Sequence, residues 1–324
     1  MPSLTKSPSQ IRVDVSAALP FGDERNTVAG DLHLPEGAPQ AMLVCWPGGS
    51  YDRSYWDAQI EGHPGYSFVE HMTSMGFAVV AADHLGVGES SRPADVDAVA
   101  LETMAAAGAA FTSTLRSRLA DGTLSDRLAP APSLPVIGVG HSLGGCICVF
   151  AQAAHDCYDA IASLGFTHGS KDVLEDGPTG SVADPAGPRA AGEAQAKAFF
   201  GDDWDAGYAV AAREPSHAWL YAPDVPAAVI AADDQTVAAW PRQSYADALT
   251  AGFTAPFAAR VQSPVFLGFG DRDIPQHPRD DAGFYTGSHD ITVFVLPGSA
   301  HCHNFAGRRA ELWDRLAAWT PRQK

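Results

Sequence analysis

One serine in this sequence has glycine on both sides at the spacing of a nucleophile turn. Residues 136–145 read VIGVGHSLGG, so Ser142 stands between Gly140 and Gly144. An apolar, strand-like run precedes the serine and a helix-compatible stretch follows it, which is the context that a G-x-S-x-G motif requires. A strained turn of this kind exposes the hydroxyl, and it needs glycines where a Cβ would meet neighbouring backbone. The pattern predicts a serine nucleophile; the alternative is a structural tight turn.

Two later apolar runs end in side chains that could assist such a nucleophile. Residues 265–269 lead into Gly-Asp271-Arg-Asp273-Ile-Pro, and residues 291–296 lead into Pro-Gly-Ser-Ala-His301-Cys-His303. A histidine can take the serine proton and return it to a leaving group, because its unperturbed pKa lies near neutral pH. A carboxylate can hold that imidazole in the required tautomer. These segments therefore supply candidate acids and bases.

The elements that carry these residues alternate between strand and helix. Residues 11–17 and 27–34 have the period-2 pattern of half-exposed strands, with a hairpin near Gly22. Short runs that are apolar on both faces follow, as parallel strands covered by helices require. These runs are residues 41–46, 77–82, 135–139, 160–164, 265–269 and 291–296, and the helix-like stretches are residues 66–75, 98–119 and 144–157. We therefore expect an α/β fold with a doubly wound, mostly parallel sheet.

One interval contains no comparable strand run. Residues 167–262 are rich in Ala, Gly and Pro at first and then carry several Trp and Tyr residues. Roughly 95 residues are too many for a structureless connection inside a compact domain. We therefore predict a largely helical lid or cap insertion at residues 167–262, between core parts at residues 1–166 and 263–324. Most of its aromatic side chains are expected to form its own core, and two or three to face a substrate.

Composition excludes several classes of partner. The chain has 324 residues, with 21 Lys and Arg against 38 Asp and Glu, so its formal net charge is −17. No basic stripe offsets this charge, which argues against nucleic acid and against an anionic membrane surface. The first ten residues lack the apolar core of a secretory signal, and no run approaches the roughly 18 to 20 residues of a membrane span. Five cysteines without dense spacing fit a reduced, cytoplasmic protein, with an exported mature form as the alternative. Monomer and homo-oligomer both stay open.

The serine turn and the two later segments resemble the α/β-hydrolase family, over most of the chain from about residue 11 to residue 319. That family implies a serine, then an acid, then a histidine in chain order. The resemblance makes Ser142 the nucleophile, His301 the general acid and base, and Asp273 the residue that orients the histidine. The alternatives are Asp271 or Asp172 as the acid and His303 as the base.

The same resemblance implies an oxyanion hole shared by two loops. One donor is the N–H of Leu143, directly after the serine. The other comes from the loop Trp-Pro47-Gly-Gly49-Ser50-Tyr51, which is similar to the family's His-Gly-x turn with Pro47 in place of the histidine. We predict Gly49 N–H as this donor, with Ser50 as the alternative.

We also expect three side chains to contact substrate: Ser50, Tyr51 and His168. For His168, hydrogen-bonded packing is an equally good interpretation. A further segment, residues 83–90, resembles a loop of the family in which Leu85 replaces an arginine, and it is interpreted as a rigid turn beneath the site.

These assignments predict a serine hydrolase that cleaves a carboxylic ester through an acyl-enzyme. A thioester, a lactone or a C–C bond could use the same triad, because the pocket decides the substrate, and a non-catalytic ligand-binding protein of this fold is a further alternative. No H-E-x-x-H or G-x-G-x-x-G pattern is present. We therefore expect no metal and no cofactor, and a small-molecule ester or related acyl compound as the substrate.

Overall fold

The computed structural model describes residues 8–169 and 187–322. In that part of the chain, eight strands form one sheet in the order β1-β2-β4-β3-β5-β6-β9-β10, and two more form a separate pair. The strands are β1 Ser9–Asp14, β2 Thr27–His33, β3 Met42–Trp46, β4 Ala78–Ala82, β5 Val136–His141, β6 Ala160–Leu164, β7 Tyr208–Ala209, β8 Trp240–Pro241, β9 Val265–Gly270 and β10 Ile291–Leu296.

The direction of the strands follows the predicted fold class. β2 pairs antiparallel with both β1 and β4, whereas β3, β4, β5, β6, β9 and β10 pair in parallel with their neighbours. The carboxyl ends of the six parallel strands therefore meet at one edge of the sheet. The α/β fold with a doubly wound, mostly parallel sheet is confirmed.

Helices cover both faces of the sheet. Along β3, Met42 and Val44 belong to one buried cluster, with α2 and α3, and Leu43 and Cys45 belong to another, with α1 and α9. Successive side chains of a strand point to opposite faces, so a strand covered on both sides must be apolar throughout. The described helices are α1 Phe68–Ser74, α2 Leu101–Ala120, α3 Leu143–His155, α4 Pro188–Phe200, α5 His217–Leu220, α6 Ala227–Asp233, α7 Arg242–Leu249, α8 Ala255–Ala258 and α9 Arg309–Trp319.

The inserted segment, here residues 187–262, contains helices α4 to α8 and the antiparallel pair of β7 and β8. It has a small apolar cluster of its own that includes Phe200, Trp204 and Ala246. Other side chains of the segment pack on the clusters beside the sheet, among them Trp240 and Leu220. The division at residues 166 and 262 stays a prediction.

No helix among the described residues combines the length and the apolar character that crossing a membrane requires.

Candidate active site

Ser142 occupies the turn between β5 and α3. Its backbone has φ +52° and ψ −123°, a conformation that residues with a side chain rarely adopt. The turn is held on both sides, because the Ser142 N–H donates to Leu164 O at 2.6 Å and Ser142 O accepts the Cys146 N–H at 3.1 Å. Strained residues that their surroundings hold in place occur mainly at functional sites.

Close approach of backbone explains the glycines around this serine. A methyl group added at Gly140 would overlap the carbonyl group of Gly144. One added at Gly144 would lie 2.5 Å from Trp46 O and would also overlap Pro47 O. Backbone atoms cannot move aside as the end of a flexible side chain can. Glycine is therefore the residue that lets α3 begin directly against the end of β3.

The loop after β3 lies directly on the serine turn. A methyl group at Gly48 would come within 2.8 Å of His141 Nδ1 and 3.0 Å of Ser142 Cβ. The next residue, Gly49, lines the same cavity as Ser142 and Leu143. The two backbone N–H groups predicted as oxyanion donors thus belong to loops that meet at one cavity.

Residues 83–90 contact the loop that follows β3. The Asp83 carboxylate accepts the N–H groups of Arg53 at 2.8 Å and Glu89 at 2.9 Å. His84 Nε2 lies 3.1 Å from Pro47 O. Burial lowers the pKa of His84 to about 3, so its ring is neutral and donates to that carbonyl. The contacts are those of a rigid turn.

Arg213, from the inserted segment, holds the other end of the same loop. Its Nη2–H donates to Ser50 O at 2.7 Å and its Nε–H to Ser50 Oγ at 3.3 Å. Its guanidinium lies 3.5 Å from the centre of the Tyr51 ring and 3.1 Å from Asp233 Oδ2. Ser50 has φ +63°, so the arginine stabilises a second strained serine beside the cavity.

Asp233 is the centre of a buried polar cluster. The hydroxyls of Tyr51 and Tyr221 donate to its Oδ2 at 2.7 Å and 2.5 Å, and the Tyr51 hydroxyl also contacts Cys302 Sγ at 3.3 Å. Burial raises the pKa of Asp233, against the opposing charge of Arg213 and the two tyrosine hydrogen bonds. Tyr51, predicted to contact substrate, lines the cavity with a hydroxyl that is already bonded.

Asp273 accepts hydrogen bonds from two histidines. His301 Nδ1 lies 2.6 Å from Asp273 Oδ1, and His303 Nε2 lies 2.7 Å from Asp273 Oδ2. The N–H groups of Ile274 and Gly270 donate to the same carboxylate at 2.7 Å and 3.1 Å. The two histidines, which are alternatives in the sequence, therefore both contact the acid. Of the two, His301 lines the cavity that holds Ser142.

The electrostatics keep this carboxylate ionised. Burial by itself raises the pKa of Asp273, but the charges and hydrogen bonds of His301 and His303 outweigh it and hold that pKa well below its usual range. Since an ionised carboxylate only accepts hydrogen bonds, the proton between it and His301 belongs to Nδ1. The Nε2 atom of a neutral His301 is then free to accept a proton.

His141 packs between the serine turn and the histidine loop. Its ring stacks on Tyr55 at a centroid distance of 4.7 Å, and its Nε2 lies 2.9 Å from His301 O. Burial lowers the pKa of His141 well below its ordinary value, so it adds no charge beside His301. Its role is to support the loop that carries His301.

The cavity above Ser142 has mostly apolar walls. Its volume is about 100 Å³. Two of the inserted segment's Trp and Tyr residues, Trp219 and Tyr245, line it. Ser142 and His301 both face this cavity, and among the described residues no hydrogen bond joins their side chains; such bonds often tighten only when substrate is bound. The apolar lining includes Phe166, Phe199, Ala211, Leu220, Leu249 and Ile274.

The remaining predicted residues lie elsewhere. His168 is buried with Nδ1 3.0 Å from Thr254 Oγ1 and Nε2 3.0 Å from Tyr285 Oη, contacts that fit the alternative of hydrogen-bonded packing. Its contact with substrate stays a prediction. Asp271 is exposed. Asp172, the other alternative for the acid, is outside the described residues.

Sequence reasoning missed Arg213 and Asp233, and it did not single out Tyr245 among the aromatic residues of the inserted segment. None of them stands in a motif, and all three come from the inserted segment. A buried arginine is rare, but burial itself cannot be read from an isolated arginine in a sequence.

Comparisons with known proteins give the family and the fold of the chain. A model of the alpha/beta hydrolase family matches residues 43–315. A carboxyl esterase from Bacillus coagulans is similar over 97% of this chain and 98% of its own, with TM-score 0.64 and 16% identity. An esterase from Thermogutta terrifontis is similar over 96% and 97%, with TM-score 0.63 and 13% identity.

A bromoperoxidase from Bacillus anthracis covers 96% of this chain and 98% of its own, with TM-score 0.59 and 16% identity. At these identities the solved structures establish a shared fold. No curated protein sequence matches the chain.

Proposed function

The chain belongs to the α/β-hydrolase family, and from that premise we propose that it is a serine hydrolase that cleaves carboxylic esters through an acyl-enzyme. Family membership supports hydrolase activity in general. The choice of an ester and the roles of individual residues rest on the geometry of this chain.

In the proposed reaction, Ser142 Oγ attacks the ester carbonyl carbon while His301 Nε2 takes the hydroxyl proton. The oxygen of the tetrahedral intermediate accepts hydrogen bonds from the N–H groups of Leu143 and Gly49. His301 then gives the proton to the leaving alcohol, which departs as the acyl-enzyme forms. A water molecule, deprotonated by His301, releases the acid in the second half-reaction, and Asp273 stabilises the imidazolium in both.

One observation carries the proposal. A serine held at φ +52° faces the same cavity as a histidine whose Nδ1 lies 2.6 Å from a buried aspartate. Holding a serine in a strained turn costs on the order of 1 to 3 kcal/mol. Such a cost is readily explained where the exposed hydroxyl performs chemistry.

The cavity favours an uncharged, mainly apolar acyl group. Among the described residues that line it, Arg213 alone has a permanent charge, and this guanidinium already donates to Ser50, Thr236 and Asp233. We further propose that the inserted segment acts as the lid, because it contributes Phe199, Trp219 and other lining residues.

The experiment measures hydrolysis of p-nitrophenyl esters of increasing acyl length, together with labelling by a fluorophosphonate. Ser142→Ala is expected to lower kcat by several orders of magnitude, about 10⁴-fold or more, and to abolish labelling. Ser117→Ala, at an exposed position of α2, is the matched control and is expected to behave as the unmodified protein. An active, labelled Ser142→Ala protein would refute the proposal.

A further inference from the structure

The Tyr245 hydroxyl lies against the backbone of Gly49. A methyl group added at Gly49 would overlap Tyr245 Oη and would lie 2.5 Å from Tyr245 Cζ. The hydroxyl therefore occupies the space that a side chain at position 49 would need. Residue 49 is also the one whose N–H is proposed as an oxyanion donor, so the tyrosine oxygen and that residue border the same part of the cavity.

Aromatic packing holds the Tyr245 ring in place. Phe199 stacks on it at a centroid distance of 5.5 Å, and Phe200 and Trp240 meet it edge-on at 4.6 Å and 6.2 Å. Helix α7, which carries Tyr245, packs along α4, which carries the two phenylalanines. A hydroxyl on a ring fixed in this way keeps its position without further ordering when a substrate enters.

The Tyr245 hydroxyl differs from its neighbours in its hydrogen bonding. Within residues 8–169 and 187–322 it has no hydrogen-bond partner, whereas the hydroxyls of Tyr51 and Tyr221 both donate to Asp233. A polar group that faces an apolar cavity without a partner is unfavourable unless something that binds there supplies one. Burial raises the pKa of Tyr245, so the hydroxyl keeps its proton at neutral pH and can donate it in a hydrogen bond.

We propose that Tyr245 is a catalytic residue of the proposed ester hydrolysis: its hydroxyl donates a third hydrogen bond to the oxyanion, beside the N–H groups of Leu143 and Gly49. The proton stays on the tyrosine throughout, so no bond is made or broken at this residue. This inference rests on the proposed function. It also explains why residue 49 is a glycine, because any side chain there would displace the Tyr245 hydroxyl.

The test is Tyr245→Phe, which removes the hydroxyl and keeps the ring in its aromatic surroundings. Loss of one oxyanion donor lowers kcat by about 10²-fold, and KM is expected to change little, because the bond strengthens in the transition state. The inhibition constant of an aryl trifluoromethyl ketone, which forms a tetrahedral adduct with serine, should rise by the same factor as kcat/KM falls. Inhibition by the free acid product should not change.

Tyr208→Phe is the matched control, because the Tyr208 hydroxyl is on the inserted segment but donates to Pro93 O. Its kcat is expected to stay within about twofold of the unmodified enzyme, because this hydrogen bond lies outside the cavity lining and its net effect on stability is small. Thermal unfolding of both variants checks that the fold is kept.

The outcomes separate this inference from the proposed function. If Ser142→Ala is inactive while Tyr245→Phe keeps full kcat, the oxyanion role of Tyr245 is wrong and the ester hydrolase stands. If Tyr245→Phe raises KM alone, the hydroxyl binds the ground state and the inference is likewise overturned. If Ser142→Ala stays active, the proposed function itself fails.

Discussion

Two serines beside the cavity share a strained backbone conformation with positive φ, and different contacts stabilise each of them. Ser142 has φ +52° and Ser50 has φ +63°. The serine turn at Ser142 is held by backbone contacts between β3, β5, β6 and α3, and glycines in its own motif make those contacts possible. The loop at Ser50 is held by Arg213, a residue 163 positions away in the chain. The strained turn at Ser142 thus depends on a local motif, whereas the one at Ser50 depends on a side chain far away in the sequence.

The difference shows that the proposed nucleophile and the proposed second oxyanion loop are positioned by different parts of the protein. The proposed nucleophile follows β5, a strand of the sheet that is buried along its whole length. The loop proposed as the second oxyanion loop is positioned by the inserted segment, whose Arg213 donates to Ser50 and stacks on the Tyr51 ring. We therefore expect changes in the inserted segment to alter activity without removing the nucleophile.

Among variants that perturb the two turns and keep every proposed catalytic group, Gly144→Ala should change the protein most. The added methyl group would meet Trp46 O and Pro47 O, backbone atoms that can move only if β3 moves. We expect the free energy of unfolding to fall by about 3 kcal/mol, the upper range for overpacking, and kcat/KM to fall by about 10²-fold or more through misplacement of Ser142. Denaturant unfolding and ester hydrolysis measure the two quantities.

Gly283→Ala is the control for that variant, because a methyl group there meets nothing within 4 Å. Its effect should stay within about 0.5 kcal/mol, as for an ordinary surface change. Equal effects of the two alanines would contradict the packing explanation of the motif.

Arg213→Met breaks the distant support instead. It leaves the Asp233 carboxylate buried without its cation and is expected to lower the free energy of unfolding by about 3 kcal/mol. It also removes both donors from Ser50, so kcat should fall by about tenfold as the oxyanion loop loses its conformation. Fluorophosphonate labelling of Ser142 should persist, at a lower rate.

Asp233→Asn added to Arg213→Met separates the two effects of that change. The double variant removes the unpaired charge, so stability should recover in part while kcat stays low. Recovery of kcat together with stability would mean that Arg213 supports the fold and has no role in shaping the loop.

The lowered pKa of Asp273 predicts that stability depends on pH, with an effect of intermediate size. The pKa of Asp273 is lowered in the folded protein, so the folded state binds fewer protons there than the unfolded chain does. Its contribution to stability is present above the unfolded value, about 3.9, and is lost as pH falls through the folded value. Compared with Asp273→Asn, the unmodified protein should lose stability more steeply below about pH 4, as unfolding measured at several acidic pH values would show; parallel curves would exclude this linkage.

Ser50→Gly relieves the strain of the second turn and should change the protein least of these variants. Glycine adopts φ +63° without strain, which offsets the lost hydrogen bond from Arg213 Nε. We expect stability to change by less than about 1 kcal/mol and kcat by only a few-fold. A loss of kcat as large as that of Ser142→Ala would instead assign chemistry to the Ser50 hydroxyl.

Several parts of the molecule could be predicted because their signals are local. The strands follow from short runs that are apolar on both faces, and the predicted run at residues 160–164 coincides with β6. The residues proposed as nucleophile, acid and base stand at the ends of strands, where motif and strand position reinforce each other. His303 was identified only as a rival of His301, because the sequence does not show that one carboxylate can accept both rings.

The predictions were weakest for residues whose role depends on contacts across the fold. His168 lies at a strand end, as many site residues do, yet Thr254 and Tyr285 take both of its ring nitrogens. Tyr245 was one aromatic residue among many in the inserted segment, and its closeness to Gly49 arises only when α7 folds over the loop after β3.

The sequence alone determined the sheet and the serine turn. The sheet follows from short apolar runs, and the turn from the glycines spaced around Ser142. Both signals are local, because the spacing of apolar residues and the steric clash of a Cβ concern residues close together in the chain. Tertiary structure decided which side chains complete the site. The site is completed by Arg213, Asp233 and Tyr245, which lie on helices and loops of the inserted segment. Packing brings these residues to the site although they are far from it in the chain, so no local sequence pattern predicts the contacts.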